Sequence, residues 1–192
     1  MAPHLSAKSK PALWRPERLP TTVILIGDAA HFPRSAELAD RAFAATIDTV
    51  EPDGRHLLIA DPDGDHHIWI QGDHGQSPLS VLIPLGDQFQ LRNHAAARFD
   101  RVLSGKRSGP LPPPYRLTAQ QRGRLVLALR TFDARDAGAS QRDIAQTLFR
   151  ANTKGRAWAG SSDHLRTKRI LRLGTRLVGG GYLQLLDPYR TP

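Results

Sequence analysis

The stretch from Ser104 to Pro114, SGKRSGPLPPP, has no apolar periodicity and consists mostly of Gly, Ser and Pro. Consecutive prolines hold a backbone extended and cannot continue a helix or a central strand. A single core cannot run through such a segment, so the chain is expected to fold as two parts. The charges divide at the same place. Up to Pro112 there are 12 Lys and Arg against 13 Asp and Glu; from Pro113 onward there are 15 against 5, and 13 of those 15 cations are arginines. All of the excess behind the net charge of +9 therefore lies in the last 80 residues. An Arg-dominated part of this kind points to a phosphate-bearing partner.

Composition removes several classes of function. Cys is absent, which excludes disulfides, thiolate metal sites and cysteine nucleophiles together. Apolar residues at 40% and charged residues at 23% suffice for a packed, water-exposed domain. No apolar run reaches the roughly 18–20 residues of a membrane span, and none follows Lys8 and Lys10 as a secretory signal requires. The expected compartment is the cytoplasm, with no membrane partner.

Residues 1–12 read as a disordered lead-in, 13–104 as a mixed α/β part, 105–117 as a Gly- and Pro-rich linker and 118–192 as a helix-turn-helix-like part, an α+β chain overall. In the first part, Thr21–Ile26 is a β-branched run ended by Gly27-Asp28, a buried strand. Glu37–Phe43 is expected to form a helical turn or two. His56–Ala60 and His67–Ile70 flank Asp61-Pro62-Asp63-Gly64-Asp65, the signal of a hairpin. Leu79–Ile83 reads as a further strand, and Phe89–Leu103 as a helix from the three-to-four spacing of Leu91, Ala95, Phe99 and Val102.

The second part reads as helical. Thr118 is expected to cap a helix through about Arg135, and Ser140 a shorter one from Gln141 to about Phe149 whose Ile144, Ala145 and Leu148 face inward. Ser161-Ser162 is expected to cap a long helix to about Val178, with Ser162 taken as a capping residue and Gly179-Gly180-Gly181 as its C-terminal stop. Tyr182–Leu186 is left as a short strand or a packing tail. Helix, break, short helix, connection, cationic helix is the order of parts in a helix-turn-helix DNA reader, although a connection of about eleven residues is long for that motif, which normally uses roughly three or four.

The cationic helix can be tested by geometry. At 100° per residue with Leu165 at zero, Leu173, Leu177, Ile170, Val178 and Leu171 fall at about 80, 120, 140, 220 and 240°. Lys168, Arg172, Arg176 and Arg169 fall at about 300, 340, 20 and 40°. The two arcs do not overlap, so one face packs while the other presents four cations. Such a helix fits the major groove, and Arg grips phosphate or a guanine edge bidentately. Lys168, Arg169, Arg172 and Arg176, with Arg166 and Arg142, are the expected DNA-binding residues. Ser140, Ile144 and Ser162 are the expected capping and positioning residues. A basic solvated face on an ordinary core helix is the competing reading, but such faces usually mix Glu with Lys and Arg, and here only Asp163 intervenes, at the helix start where the dipole favours it.

Other candidates carry less. Asp61–Asp65 has its Gly misplaced for a calcium loop and reads as a turn. His56, His66, His67 and His74 cluster in sequence, but strand alternation separates them and no fixed partner completes a metal site. Trp14, Trp69 and Trp158 read as core or docking anchors, Trp158 holding the basic helix in place. No set of residues makes a catalytic site, and neither an enzyme activity nor a cofactor is expected.

On Leu13-Trp14-Arg15-Pro16, Pro78–Leu85, the Arg92…Arg98-Phe99 helix, Arg124–Asp133, Ala137–Ala145 and Gly180-Gly181-Tyr182, the chain resembles the RovC-like DNA-binding domain family of proteobacterial transcription regulators, over about Leu13 to Leu186. The resemblance implies a helix-turn-helix variant in regulators of type VI secretion or of integrative conjugative element transfer. It implies that related proteins are activators, that some single-domain relatives are antiactivators, and that longer relatives carry an aromatic-rich N-terminal module. This sequence reads as starting at the Leu13-Trp14 block, with a separate protein chain expected to supply that module. The leading expectation is a sequence-specific regulator of double-stranded DNA, acting as a homo-oligomer because one basic helix reads few base pairs. The alternative is an antiactivator that binds another regulator rather than DNA.

Overall fold

The structure, a computed structural model, describes residues 12–27, 45–72, 79–152 and 156–188. It divides into two compact units at Pro113/Pro114. The expected lead-in lies almost wholly outside the described residues, as do the helical turn at Glu37–Phe43 and His74.

The first unit is a five-stranded sheet with one helix. The strands are β1 (Val23–Gly27), β2 (Ala45–Glu51), β3 (Gly54–Ile59), β4 (His66–Ile70) and β5 (Leu79–Leu82), in spatial order β2-β3-β4-β1-β5. The expected hairpin is the β3–β4 pair, antiparallel with Ile59 opposite His66. β2 was not foreseen; it pairs antiparallel with β3. β1 runs parallel to β4 and antiparallel to β5. Alternate residues of these strands face α1 (Phe89–Leu103): Val23, Leu25, Leu57, Ile59, Ile68 and Ile70 form one core with Ala95 and Phe99. Burying each such side chain stabilises the unit by roughly 1.5–3 kcal/mol.

The first half of the Gly- and Pro-rich stretch is tied to this unit rather than free. Ser108 is 1% exposed, and its hydroxyl donates to Asp61 at 2.8 Å. The buried Arg98 guanidinium donates to the carbonyls of Gly109 and Gly64, both at 2.8 Å. These bonds offset the cost of burying a charged side chain.

The second unit is helical: α2 (Ala119–Asp136), α3 (Gln141–Phe149), α4 (Ser162–Arg176) and the short α5 (Leu183–Leu186). The last is a helical turn, where a strand or tail was expected. α2, α3 and α4 pack against one another. Thr118 caps α2 and Ser140 caps α3, each in a reciprocal capping box with the residue three positions on, Gln121 and Asp143. Each box satisfies two backbone N–H groups that the helix leaves unpaired. Ile144 is 1% exposed and Ala145 fully buried, so the inward face of α3 is the one its spacing predicts. α4 stops at Arg176 and gives way to a wide π turn over Leu177–Gly181; Gly180 there has φ +108°, a conformation that excludes most side chains.

Candidate nucleic-acid interface

The start of α4 is held by a small polar and aromatic cluster. The capping residue is Ser161, not Ser162. Its hydroxyl accepts from the His164 N–H at 3.1 Å and donates to the Trp158 carbonyl at 2.9 Å. Ser162 is the first helical residue, its side chain exposed. A 3₁₀ turn over Arg156–Gly160 leads directly into Ser161. Trp158, 6% exposed, packs with Ala145, Ala151 and Phe149, and its ring centroid lies 5.1 Å from that of His164. Trp158 therefore anchors α4 to the end of α3, as its position ahead of the basic helix suggested.

The buried side of α4 is Thr167, Ile170, Gly174 and Leu177, at about 200, 140, 180 and 120° on the wheel above. Sequence reasoning missed Thr167 and Gly174. Thr167 is fully buried because its hydroxyl donates to the Asp163 carbonyl one turn back, at 2.7 Å. At Gly174 the helix comes close to α2: a methyl group there would collide with the Ala128 carbonyl oxygen and lie 3.0 Å from the Phe132 Cβ. Conversely, Val178, counted in the apolar arc, is 47% exposed, while Leu165, at zero on the wheel between Arg172 and Arg176, is 48% exposed. The buried arc is thus narrower than expected, and it lies opposite the cations.

Lys168, Arg169, Arg172 and Arg176 are all exposed. None of them makes an ion pair among the described residues. Lys168, Arg172 and Arg176 repeat every fourth residue, so like charges stand one above another along the helix. Each such pair costs a few tenths of a kcal/mol, with no acid on that face to offset it. Arg166 is placed elsewhere. Its guanidinium carbon lies 4.5 Å from the centroid of the Phe149 ring, a cation–π contact that joins α4 to α3. Arg142 is exposed in the first turn of α3, off the α4 face. Near it, Asp143 accepts from the Ser140 hydroxyl at 2.6 Å and from the Ser140 N–H at 2.9 Å, and these bonds hold its carboxyl below the ordinary range.

Among the described histidines, His56 Nε2 lies 3.0 Å from Asp53, and His66 Nε2 lies 3.5 Å from Asp61. No group of three or more His, Asp or Glu able to hold a metal occurs among the described residues. No described helix is long and apolar enough to cross a membrane.

A three-helix unit with one uncompensated cationic helix face is an arrangement that nucleic-acid-binding domains use. Comparison with protein families agrees: residues 82–187, more than half of the chain, match the model described as a T6SS transcription factor DNA-binding domain. The chain belongs to this RovC DNA-binding domain family. The resemblance drawn from the sequence extends from Leu13, whereas the matched stretch begins at Leu82, so most of the sheet lies outside it. Residues 21–81 match a second model, a domain of unknown function. Neither a curated protein nor a solved structure matches the chain.

Proposed function

We propose that this transcription-factor chain reads DNA sequence by laying the basic face of α4 in the major groove, with α3 and α4 as the halves of a helix-turn-helix variant joined by residues 150–161. The observation that carries this reading is the face itself, four exposed cations without acids, opposite a seam that fixes the helix against α2. A groove reader needs its helix held at one angle, because a misplaced rigid element loses its base contacts. The Ser161–Trp158 cap, the Arg166–Phe149 contact and the Gly174–Ala128 crossing supply that constraint. Lys168, Arg169, Arg172 and Arg176 take the phosphates and base edges, while Ser140 and Ile144 position α3.

The test is fluorescence anisotropy on duplex DNA taken upstream of neighbouring genes, against a scrambled duplex of equal length. Affinity should fall with salt with a slope of about −0.9 for each phosphate contacted. Arg172→Glu should weaken binding at least about tenfold, a loss within the range of one specific contact, with an unchanged circular dichroism spectrum. Ile144→Asp should also lose binding, but by unfolding the helical unit, since it buries an unpaired charge. A folded Arg172→Glu variant of full affinity overturns the assignment and moves the face to a protein partner, the antiactivator reading.

A further inference from the structure

α2 carries a second surface, which DNA reading leaves unused. Its inner side buries Ala128 and Thr131. Around its solvent side, Ala119, Arg122, Val126, Leu129, Asp133 and Asp136 stand in one stripe, three or four residues apart as neighbours on a helix face are. All six are exposed, Val126 at 51% and Leu129 at 45%. Isolated exposed apolar residues are ordinary on a protein surface. The order of charges around this pair is not. Along the stripe a cation, Arg122, comes first, then Val126 and Leu129, then the anion Asp133. Neither Arg122 nor Asp133 makes an ion pair among the described residues.

The stripe is self-complementary in one orientation only. Running a second copy of α2 antiparallel about the point midway between Leu127 and Ala128 sets Val126 against Leu129 and Arg122 against Asp133, twice over. A parallel, in-register pair sets Arg122 against Arg122 and Asp133 against Asp133, and like charges brought together at an interface are strongly disfavoured. A twofold axis makes the same patch serve both copies, which is how closed dimers are built.

We propose that a second copy of this chain docks on this face, forming an antiparallel α2–α2 pair in which Val126 and Leu129 of both copies are buried at the centre and Arg122 of each pairs with Asp133 of the other. One helix pair of this length falls at the small end of specific interfaces, so the dimer forms in a concentration-dependent way. It involves none of the four cations on α4 and requires no DNA. Its failure is therefore read separately from that of the DNA-binding reading.

The experiment is sedimentation equilibrium on the full chain without DNA, for the parent protein, Arg122→Asp, Asp133→Arg and the double variant. Each single variant places like charges at both pairing positions and should raise the dimer dissociation constant at least about tenfold. An equimolar mixture of the two single variants makes every pair complementary again, and should restore association as a heterodimer. The double variant should do the same with itself. Neither rescue can come from a merely misfolded variant, and unchanged circular dichroism in both singles checks the fold directly. The proposal is overturned by a parent chain that stays monomeric up to its solubility limit, by single variants that associate as the parent does, or by single variants that weaken association without rescue in the mixture.

Discussion

Replacing Gly174 with Ala probes the crossing that sets the angle of α4. Two opposing terms decide the outcome. In an open helix position the change is favourable by about 1 kcal/mol, because Gly loses more backbone freedom on folding than Ala. At Gly174 the added methyl meets the carbonyl oxygen of Ala128, a backbone atom that cannot swing aside, and sits 3.0 Å from the Phe132 Cβ. Relief requires α2 and α4 to separate, and overpacking of that kind costs typically about 1–3 kcal/mol, more when backbone must move. The net expectation is a loss of about 1–2 kcal/mol. For a unit of this size that is a fall in midpoint temperature of roughly 4–8 °C per kcal/mol. Gly123, in the exposed part of α2 with nothing within 4 Å of an added methyl, is the internal control: Gly123→Ala should stabilise by up to about 1 kcal/mol. Urea unfolding followed by far-ultraviolet circular dichroism, which reports chiefly on the helices, reads both. The two substitutions must differ in sign. A Gly174→Ala protein as stable as the parent, or more so, refutes the close crossing and with it the argument that α4 is rigidly aimed.

Two further outcomes follow from local geometry. Ser161→Ala should destabilise the helical unit by about 1 kcal/mol through loss of the cap, while Ser162→Ala should stay within about 0.5 kcal/mol of the parent; equal effects in urea melts would contradict the cap assignment. Burial of His66, with the Arg98 guanidinium nearby, lowers its affinity for a proton below the ordinary value of 6.5 despite Asp61. The unfolded chain therefore binds the proton more readily, so stability of the sheet unit should be intact above pH 6.5 and fall as the pH drops through that value towards the lower folded pKa. Urea midpoints for the parent and His66→Gln should diverge in that window, the parent losing more; a flat profile would show that His66 does not gate it.

Much of the candidate interface is legible in the sequence because it depends on one helix alone. The solvent arc of Lys168, Arg169, Arg172 and Arg176 follows from helical period and residue type, and needs no knowledge of what lies behind α4. The caps at Thr118 and Ser140 are local in the same sense, since each box joins residues three apart. The break at Ser104–Pro114 likewise announces two units, although the chain does not announce that Ser108 is buried against Asp61 forty-seven residues earlier.

Tertiary structure decided what depends on a distant partner. Thr167 and Gly174 carry no large apolar side chain to mark them as buried, yet both are, and Gly174 meets α2, because a hydroxyl can bond back to its own helix and a missing side chain permits close approach. Val178 looks like core and is exposed, because the neighbouring helices cover only part of the apolar arc. Arg166 groups with the DNA-binding cations by residue type, but at about 100° on the wheel it stands off the basic arc, and it lies over Phe149. The parallel β1–β4 pairing and the presence of β2 are likewise set by strands brought together from far apart in the chain. Periodicity and capping act within a few residues and are written in the sequence; burial and pairing are properties of two surfaces at once, and exist only when the second surface has arrived.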